Sequence, residues 1–266
     1  MMKQIFIPLY FICCFSACNN KEEKSSTETA VFSVYEKEMN DAIAKFPDSL
    51  LLKEKLIQYY RDSAAYDKAI TTVNKAIQTD SLNARLWEIK ATLHFENEDT
   101  LNAIKSFENA VRILPLPRYI KLLGSLYAQT KNIKALHMAD ALLQNKNADT
   151  DNEAFFIKGL YFSCIDEKNK AITFFDKCLS LNYTFMPAYR EKAIALYDLG
   201  KYDSAINVLT KAITLQNSFD EGYYWRGRCL EKLHKPTEAI NEYHTALRYS
   251  PDFLEAKEAI NGLGGK

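Results

Sequence analysis

Histidines, cysteines and paired acids are the side chains with which this chain could do covalent or metal chemistry, and their spacing excludes most of it. His94, His137, His234 and His244 stand apart, with no HExxH and no Cys-x-x-Cys beside them. Those are the spacings that bring two ligands onto one metal ion. No acid pair and no nucleophile with its base stands out. The terminal GLGGK lacks the GxxxxGK[ST] spacing of a phosphate loop. The expectation is a protein with no catalytic residues, no metal site and no cofactor. One cysteine has a different setting. A basic start at Lys3, an apolar run from Ile5 to Phe15 and the small residues Ser16 and Ala17 precede Cys18, which reads as a secretory signal peptide. The run is roughly half of the ~20 residues that cross a bilayer, and it carries Pro8.

Phe15-Ser16-Ala17-Cys18 resembles a bacterial lipobox, with Phe15 where Leu is usual. The resemblance implies that Cys18 becomes the lipidated first residue, its thiolate accepting a diacylglyceryl group and its freed amine another acyl chain. Several chains make a durable anchor where one binds only marginally. The polar NNKEEKSSTET that follows suits a tether. Within it, Lys21-Glu22-Glu23 is similar to the Lys-plus-two-acids signal that sends lipoproteins to the cell surface in Bacteroidota, and reads equally well as plain solvated tether. Of the remaining cysteines, Cys13 and Cys14 fall in the leader. Cys164, Cys178 and Cys229 are an odd set, which argues against a disulfide framework, and Cys178 and Cys229 read as apolar fillers.

The rest of the chain is organised by one recurring element. In residues 189–213, Tyr189, Ala193 and Leu196 share one helix face, and Ala205, Ile206, Leu209, Ala212 and Ile213 share another. Gly200 lies between, where a helix C-terminus favours a residue tolerant of positive φ. Small residues let two backbones approach, and large ones fill the space around them. The pattern repeats: Ala69 and Ala103, Ala171 and Ala205, and Ala205 and Ala239 are each 34 positions apart. A fixed period of this length marks a stack of helical hairpins.

A large residue near position 4 of each repeat, a small one at 8, an aromatic or Leu at 11, Ala at 20 and 27 and Pro near 32 resemble the tetratricopeptide repeat. The resemblance implies an all-α, right-handed superhelical solenoid with a concave groove for protein or extended peptide partners. The expected organisation is a leader over 1–17, a tether over 18–30, a cap helix over 31–46, and repeats at about 50–83, 84–116, 117–151, 152–185, 186–219 and 220–253. A capping helix and tail complete it over 254–266. The third repeat departs from register. Its second helix starts one residue early, and a lengthened loop over 144–151 is expected, as harmless drift or as a bend where something inserts. In the family, positions 2, 5, 9, 12 and 13 line the groove. Carried over, they give Phe156, Leu160, Arg190, Ile194, Tyr197, Tyr224 and Arg228, an aromatic and apolar surface with two guanidinium groups for an acidic extended peptide. The alternative is that some of these pack between neighbouring helices. Earlier repeats offer Arg85, Glu88, Lys121 and Gln129. Position 9 holds no Asn, so the family's clamp for a chaperone's C-terminal carboxylate is not expected.

The chain has 34 basic and 34 acidic residues, so no global field favours nucleic acid or an anionic membrane surface. Low glycine and proline and 47% hydrophobic content suit an unbroken stack forming one elongated domain. The expected function is a non-catalytic scaffold or adaptor lipoprotein of a bacterial outer membrane, its membrane contact made through lipid. The alternatives are a pilotin-like assembly factor and a glycan- or peptidoglycan-binding module.

Overall fold

The computed structural model describes residues 34–144 and 148–264. The leader, Cys18 and the tether lie outside these residues. Every regular element among those described is an α-helix. Helix α1 is described over 34–45. It is followed by α2 (Leu50–Asp62), α3 (Tyr66–Thr79), α4 (Ala84–Glu96), α5 (Thr100–Ile113), α6 (Pro117–Gln129), α7 (Lys134–Leu143) and α8 (Ala148–Cys164). Then come α9 (Lys168–Leu181), α10 (Met186–Asp198), α11 (Tyr202–Leu215), α12 (Asp220–Lys232), α13 (Pro236–Tyr249) and α14 (Leu254–Gly262). Even-numbered helices from α2 to α12 open a hairpin and odd-numbered ones close it; we call them A and B helices.

Each A-to-B turn is built the same way. Ala64, Glu98, Lys131, Asp166, Gly200 and His234 all hold positive φ, between 54° and 73°, at intervals of 34, 33, 35, 34 and 34 residues. The next residue's N–H closes the turn: Ala65 donates to the Tyr60 carbonyl, Asp99 to His94, Asn132 to Tyr127, Glu167 to Phe162, Lys201 to Leu196 and Lys235 to Leu230, at 2.8–3.0 Å. This is the Schellman cap, which satisfies carbonyls the helix end leaves over. Only Gly200 adopts the left-handed conformation without steric cost; the other five accept strain of about 1 kcal/mol or more each.

The contacts of the chain divide it into two compact units, Met1–Thr72 and Val73–Lys266, rather than the single domain expected. In a stack stability is a sum of neighbour terms, with no common core to forbid a division. In the first unit, Tyr60 donates its hydroxyl to Glu36 (2.9 Å), and Lys68 pairs with the same carboxylate (3.0 Å). That ties α1, α2 and the start of α3 together, with the Tyr35 and Tyr59 rings 4.7 Å apart.

In the second unit each A helix packs on its own B helix, and each B helix packs on the A helix that follows. Ala103, Ala135, Ala171, Ala205 and Ala239 are each 0% exposed, so the B-helix backbone meets its A helix with nothing larger than a methyl between. At position 8 these A helices carry glycine or alanine, and a large side chain lies against each glycine: Ile157 and Met138 on Gly124, Phe175 on Gly159 and Tyr243 on Gly227.

The third repeat shows where its irregularity goes. Helix α7 has 10 residues where the other B helices have 14, and α8 has 17 where the other A helices have 13. The loop expected over 144–151 is therefore corrected: α8 already begins at Ala148, four residues ahead of the expected start of the next repeat. A turn lost from one helix is regained by the next. A single core cluster runs through this region from Ala91 to Ala188, which favours drift over an opening between hairpins.

Cys164, Cys178 and Cys229 form no disulfide among the described residues. Cys178 and Cys229 are buried, and burial pushes both up to about 12. Since the thiolate is the nucleophile, iodoacetamide at pH 8 should alkylate half-buried Cys164 first and reach the other two only on unfolding. Peptide mapping after timed quenching reads the order; equal rates at all three would show that the B-helix seam is open.

Candidate partner-binding groove

The A helices place positions 2 and 5 of each repeat near their N-terminal ends, and the structure joins these positions from one repeat to the next. Glu88 at position 5 meets Arg118 at position 2 of the following repeat (3.4 Å), and Lys121 meets Glu153 (2.9 Å). Arg190 meets both oxygens of Glu221 (2.8 and 2.9 Å). These pairs form rungs between successive A helices. The first two involve side chains that water reaches, and such pairs contribute little. The third is more enclosed, its side chains 16% and 25% exposed, and Arg190 also pairs through Nε with Glu191 at 3.0 Å.

This corrects the expectation for Arg190. Its guanidinium already serves two carboxylates and links two hairpins. Burial opposes its charge, and the two glutamates outweigh burial and hold it protonated. Leu160 and Tyr224 are corrected likewise, since both are 8% exposed and act as filler. Phe156 stands where a rung would be and takes an apolar one instead, its ring edge-on to Phe185 at 5.2 Å and 5.9 Å from Phe175. Tyr224 repeats the arrangement with Phe253 at 4.9 Å. Position 5 therefore faces the next repeat, and its side chain is spent on the joint.

Ile194, Tyr197 and Arg228 remain as half-buried side chains on this face. Tyr197 packs edge-on against Tyr202 (5.3 Å) and Trp225 (5.7 Å). Arg228 donates through Nη1 to the Tyr224 hydroxyl at 2.9 Å. Burial opposes its charge, and Tyr224, Tyr197 and Tyr243 together outweigh burial, so the group stays protonated. Its nearest carboxylate is Glu231 Oε2, at 3.8 Å from Nε, and Glu231 already accepts the Tyr243 hydroxyl. The Nε of Arg228 is buried without a hydrogen-bond acceptor among the described residues, as is the Gln129 amide oxygen without a donor. A buried polar atom left unpaired costs about 1–3 kcal/mol.

The sequence reading missed Arg118, Glu153 and Glu221, the partners in the rungs. Their signal was available as opposite charges 30 to 32 residues apart at positions 5 and 2. Of the histidines, His94 is buried with Nδ1 3.2 Å from Asp99 Oδ2. Burial holds it below its ordinary value, so it is a neutral structural residue at neutral pH. Among the described residues no group of His, Cys, Asp and Glu could hold a metal ion, and no helix is long and apolar enough to cross a membrane.

Residues 194–233 match the family model described as TPR repeat, and residues 220–253 match the one described as Tetratricopeptide repeat. Residues 194–253 carry tetratricopeptide repeats. The chain's hairpins superpose on the crystal structure of a tetratricopeptide repeat protein from Parabacteroides merdae with a TM-score of 0.72 at 17% identity, covering 91% of this chain and 96% of that one. PilW, described as a widely conserved type IV pilus biogenesis factor, gives a TM-score of 0.62 at 18% identity over 79% of this chain and 97% of that one. In sequence, the Hsp70-Hsp90 organizing protein of Triticum aestivum is 22% identical over 246 residues, 86% of this chain and 41% of that protein. The chain thus spans about two fifths of that curated relative. The fold is an all-α solenoid of tetratricopeptide hairpins.

Proposed function

We propose that this chain is a non-catalytic scaffold or adaptor of the bacterial envelope, held at the outer membrane through lipid on Cys18, and that it grips an extended segment of a protein partner along its A helices. The observation that carries the binding half is Arg228: a charged side chain with a buried, unpaired Nε, beside half-buried Tyr197 and Ile194. A carboxylate on the partner pairs with the exposed part of the Arg228 guanidinium, whose side chain is 34% exposed, in a charge-assisted bond, and the rings supply area. The wheat relative is, by its name, an organizing protein for two others, in keeping with a scaffold. The anchor rests on the Phe15–Cys18 pattern and the polar stretch behind it.

The test is crosslinking and affinity capture from intact cells of the source organism, with the wild-type chain, Arg228→Gln and Cys18→Ala. The expected result is one recurrent protein that falls at least about tenfold with Arg228→Gln, while the melting curve of that variant moves by no more than an ordinary surface change. Cys18→Ala should lose acyl labelling and membrane attachment. Capture that persists with Arg228→Gln sinks the site. Retention on cell-wall material with no protein captured replaces the partner by a glycan, and labelling that survives Cys18→Ala sinks the anchor.

A further inference from the structure

Arg228 stands beside a carboxylate and does not close on it. Its Nε is buried without an acceptor among the described residues, although Glu231 Oε2 is 3.8 Å away. Elsewhere a tyrosine hydroxyl holds a glutamate just as Tyr243 holds Glu231, and there the nearby base does close. Tyr60 and Lys68 meet on Glu36 Oε1 at 2.9 and 3.0 Å. Tyr127 and Lys134 meet on Glu108 Oε1, the lysine at 3.2 Å. Each lysine also lies over the ring of its tyrosine, 5.4 Å from the centroid. A carboxylate held by a tyrosine thus still accepts a cation. On Glu231 the Tyr243 hydroxyl is in place, so the reason for the gap lies with Arg228.

The difference is a second tyrosine. Tyr224 and Arg228 are four positions apart on α12 and share one face of it. Arg228 Nη1 donates to the Tyr224 hydroxyl at 2.9 Å, and its guanidinium lies 5.8 Å from the centre of the same ring. That hydroxyl is a fixed post. Tyr224 is 8% exposed, and its ring has Phe253 at 4.9 Å, Trp225 at 5.6 Å and Tyr243 at 5.7 Å around it. A ring enclosed in this way keeps one orientation. Burial raises its hydroxyl above the ordinary value, so it meets the guanidinium as a neutral oxygen. At position 5 the other A helices carry Glu54, Glu88, Lys121, Phe156 and Arg190, and none of these has a hydroxyl to offer.

We propose, resting on the reading of Arg228 as the partner contact, that Tyr224 is the positioning residue of this groove: its hydroxyl holds the guanidinium off Glu231 and keeps it open to a carboxylate of the partner. An Arg228 closed on Glu231 would be neutralised by its own chain. Held by Tyr224, it spends one donor on a neutral oxygen and keeps others for the ligand.

The test follows Arg228 in the full chain through two readouts. One is its Nε–H signal in a nitrogen–proton correlation spectrum, assigned by its loss in Arg228→Gln. The other is the rate at which phenylglyoxal modifies Arg228, read by peptide mapping. Tyr224→Phe keeps the ring and removes the acceptor. It should move the Nε–H proton downfield as Glu231 closes, and slow the modification about threefold, as a partly exposed pair would. Adding Glu231→Gln should undo both changes, and Glu231→Gln alone should produce neither. Capture of the partner should fall with Tyr224→Phe and return with the double variant. The proposal is overturned if Tyr224→Phe leaves the signal in place or fails to slow the reagent, or if the slowing persists with Glu231→Gln, which marks a packing effect. It is also overturned if Glu231→Gln alone speeds modification by about threefold, which marks a pair already closed; that arm stands even where Tyr224→Phe does not fold. If both readouts change and revert while capture stays constant, Tyr224 positions Arg228 and the groove reading is what fails.

Discussion

Phe175→Ala should lower the unfolding free energy of the second unit by about 3–5 kcal/mol, Gly159→Ala by about 1–3 kcal/mol, and the two together by little more than Phe175→Ala alone. Phe175 is 0% exposed and sits in the core cluster that crosses from one repeat to the next. Its ring lies directly on Gly159: a methyl at that glycine would come within 2.4 Å of one ring carbon and 2.6 Å of another. The ring cannot retreat, because buried neighbours enclose it at crystal-like density. Gly159→Ala therefore forces a backbone shift, and removing the ring removes the obstacle. Urea unfolding of the wild type, both single variants and the double variant gives the coupling between the two sites. Simple additivity would falsify the contact, since it means that the ring and the glycine do not compete for one space.

Gly159 and Phe175 also show what could be read without coordinates. The small residue at position 8 and the aromatic on the following helix fall out of the 34-residue spacing, so their meeting was foreseeable. So was the burial of Ala103, Ala171, Ala205 and Ala239. The turns were only partly legible. Gly200 announces positive φ and Asp166 and His234 are types that tolerate it, but Ala64, Glu98 and Lys131 adopt it as well, with nothing in their chemistry to say so. There the cap is imposed by the packing of two helices, and the residue bears the strain. The loop over 144–151 failed for a related reason. Asn, Asp and Thr suggest a turn locally, yet α8 extends back to Ala148 because α7 stops a turn short. The groove was least legible. Family positions say which residues stand on the A-helix face, and they do not say which of those a neighbour claims. Arg190 has acids in the next repeat and beside it, whereas Arg228 has Tyr224 and a distant Glu231, so two arginines of equal promise in sequence have different surroundings. The decisive information lies about 30 residues away in the chain, at the far side of a joint.

Arg190→Ala should accordingly act on stability, costing about 2–4 kcal/mol. Breaking an enclosed pair costs about 3–5 kcal/mol when both ions are fully buried, and the 16% and 25% exposure of these side chains lowers the figure. Its loss leaves Glu221 and Glu191 facing each other with no cation between them. Glu221→Gln should cost less, because Arg190 keeps its 3.0 Å contact with Glu191. Arg190→Leu with Glu221→Leu should cost less than Arg190→Ala, since only Glu191 is then left without its cation. The deficit also has a pH signature. Burial already holds the Glu221 carboxyl above its ordinary value, against the pull of Arg190; without the arginine nothing opposes that rise. A carboxyl whose folded value lies above its unfolded value destabilises at neutral pH, and the penalty fades as it protonates. The gap between Arg190→Ala and wild type should therefore narrow as pH falls from about 7 to about 4. Thermal melts across that range decide the matter. If Arg190→Ala instead melts with the wild type at every pH and loses its captured partner, then Arg190 is a ligand contact, and the rung to Glu221 does not hold the hairpins together.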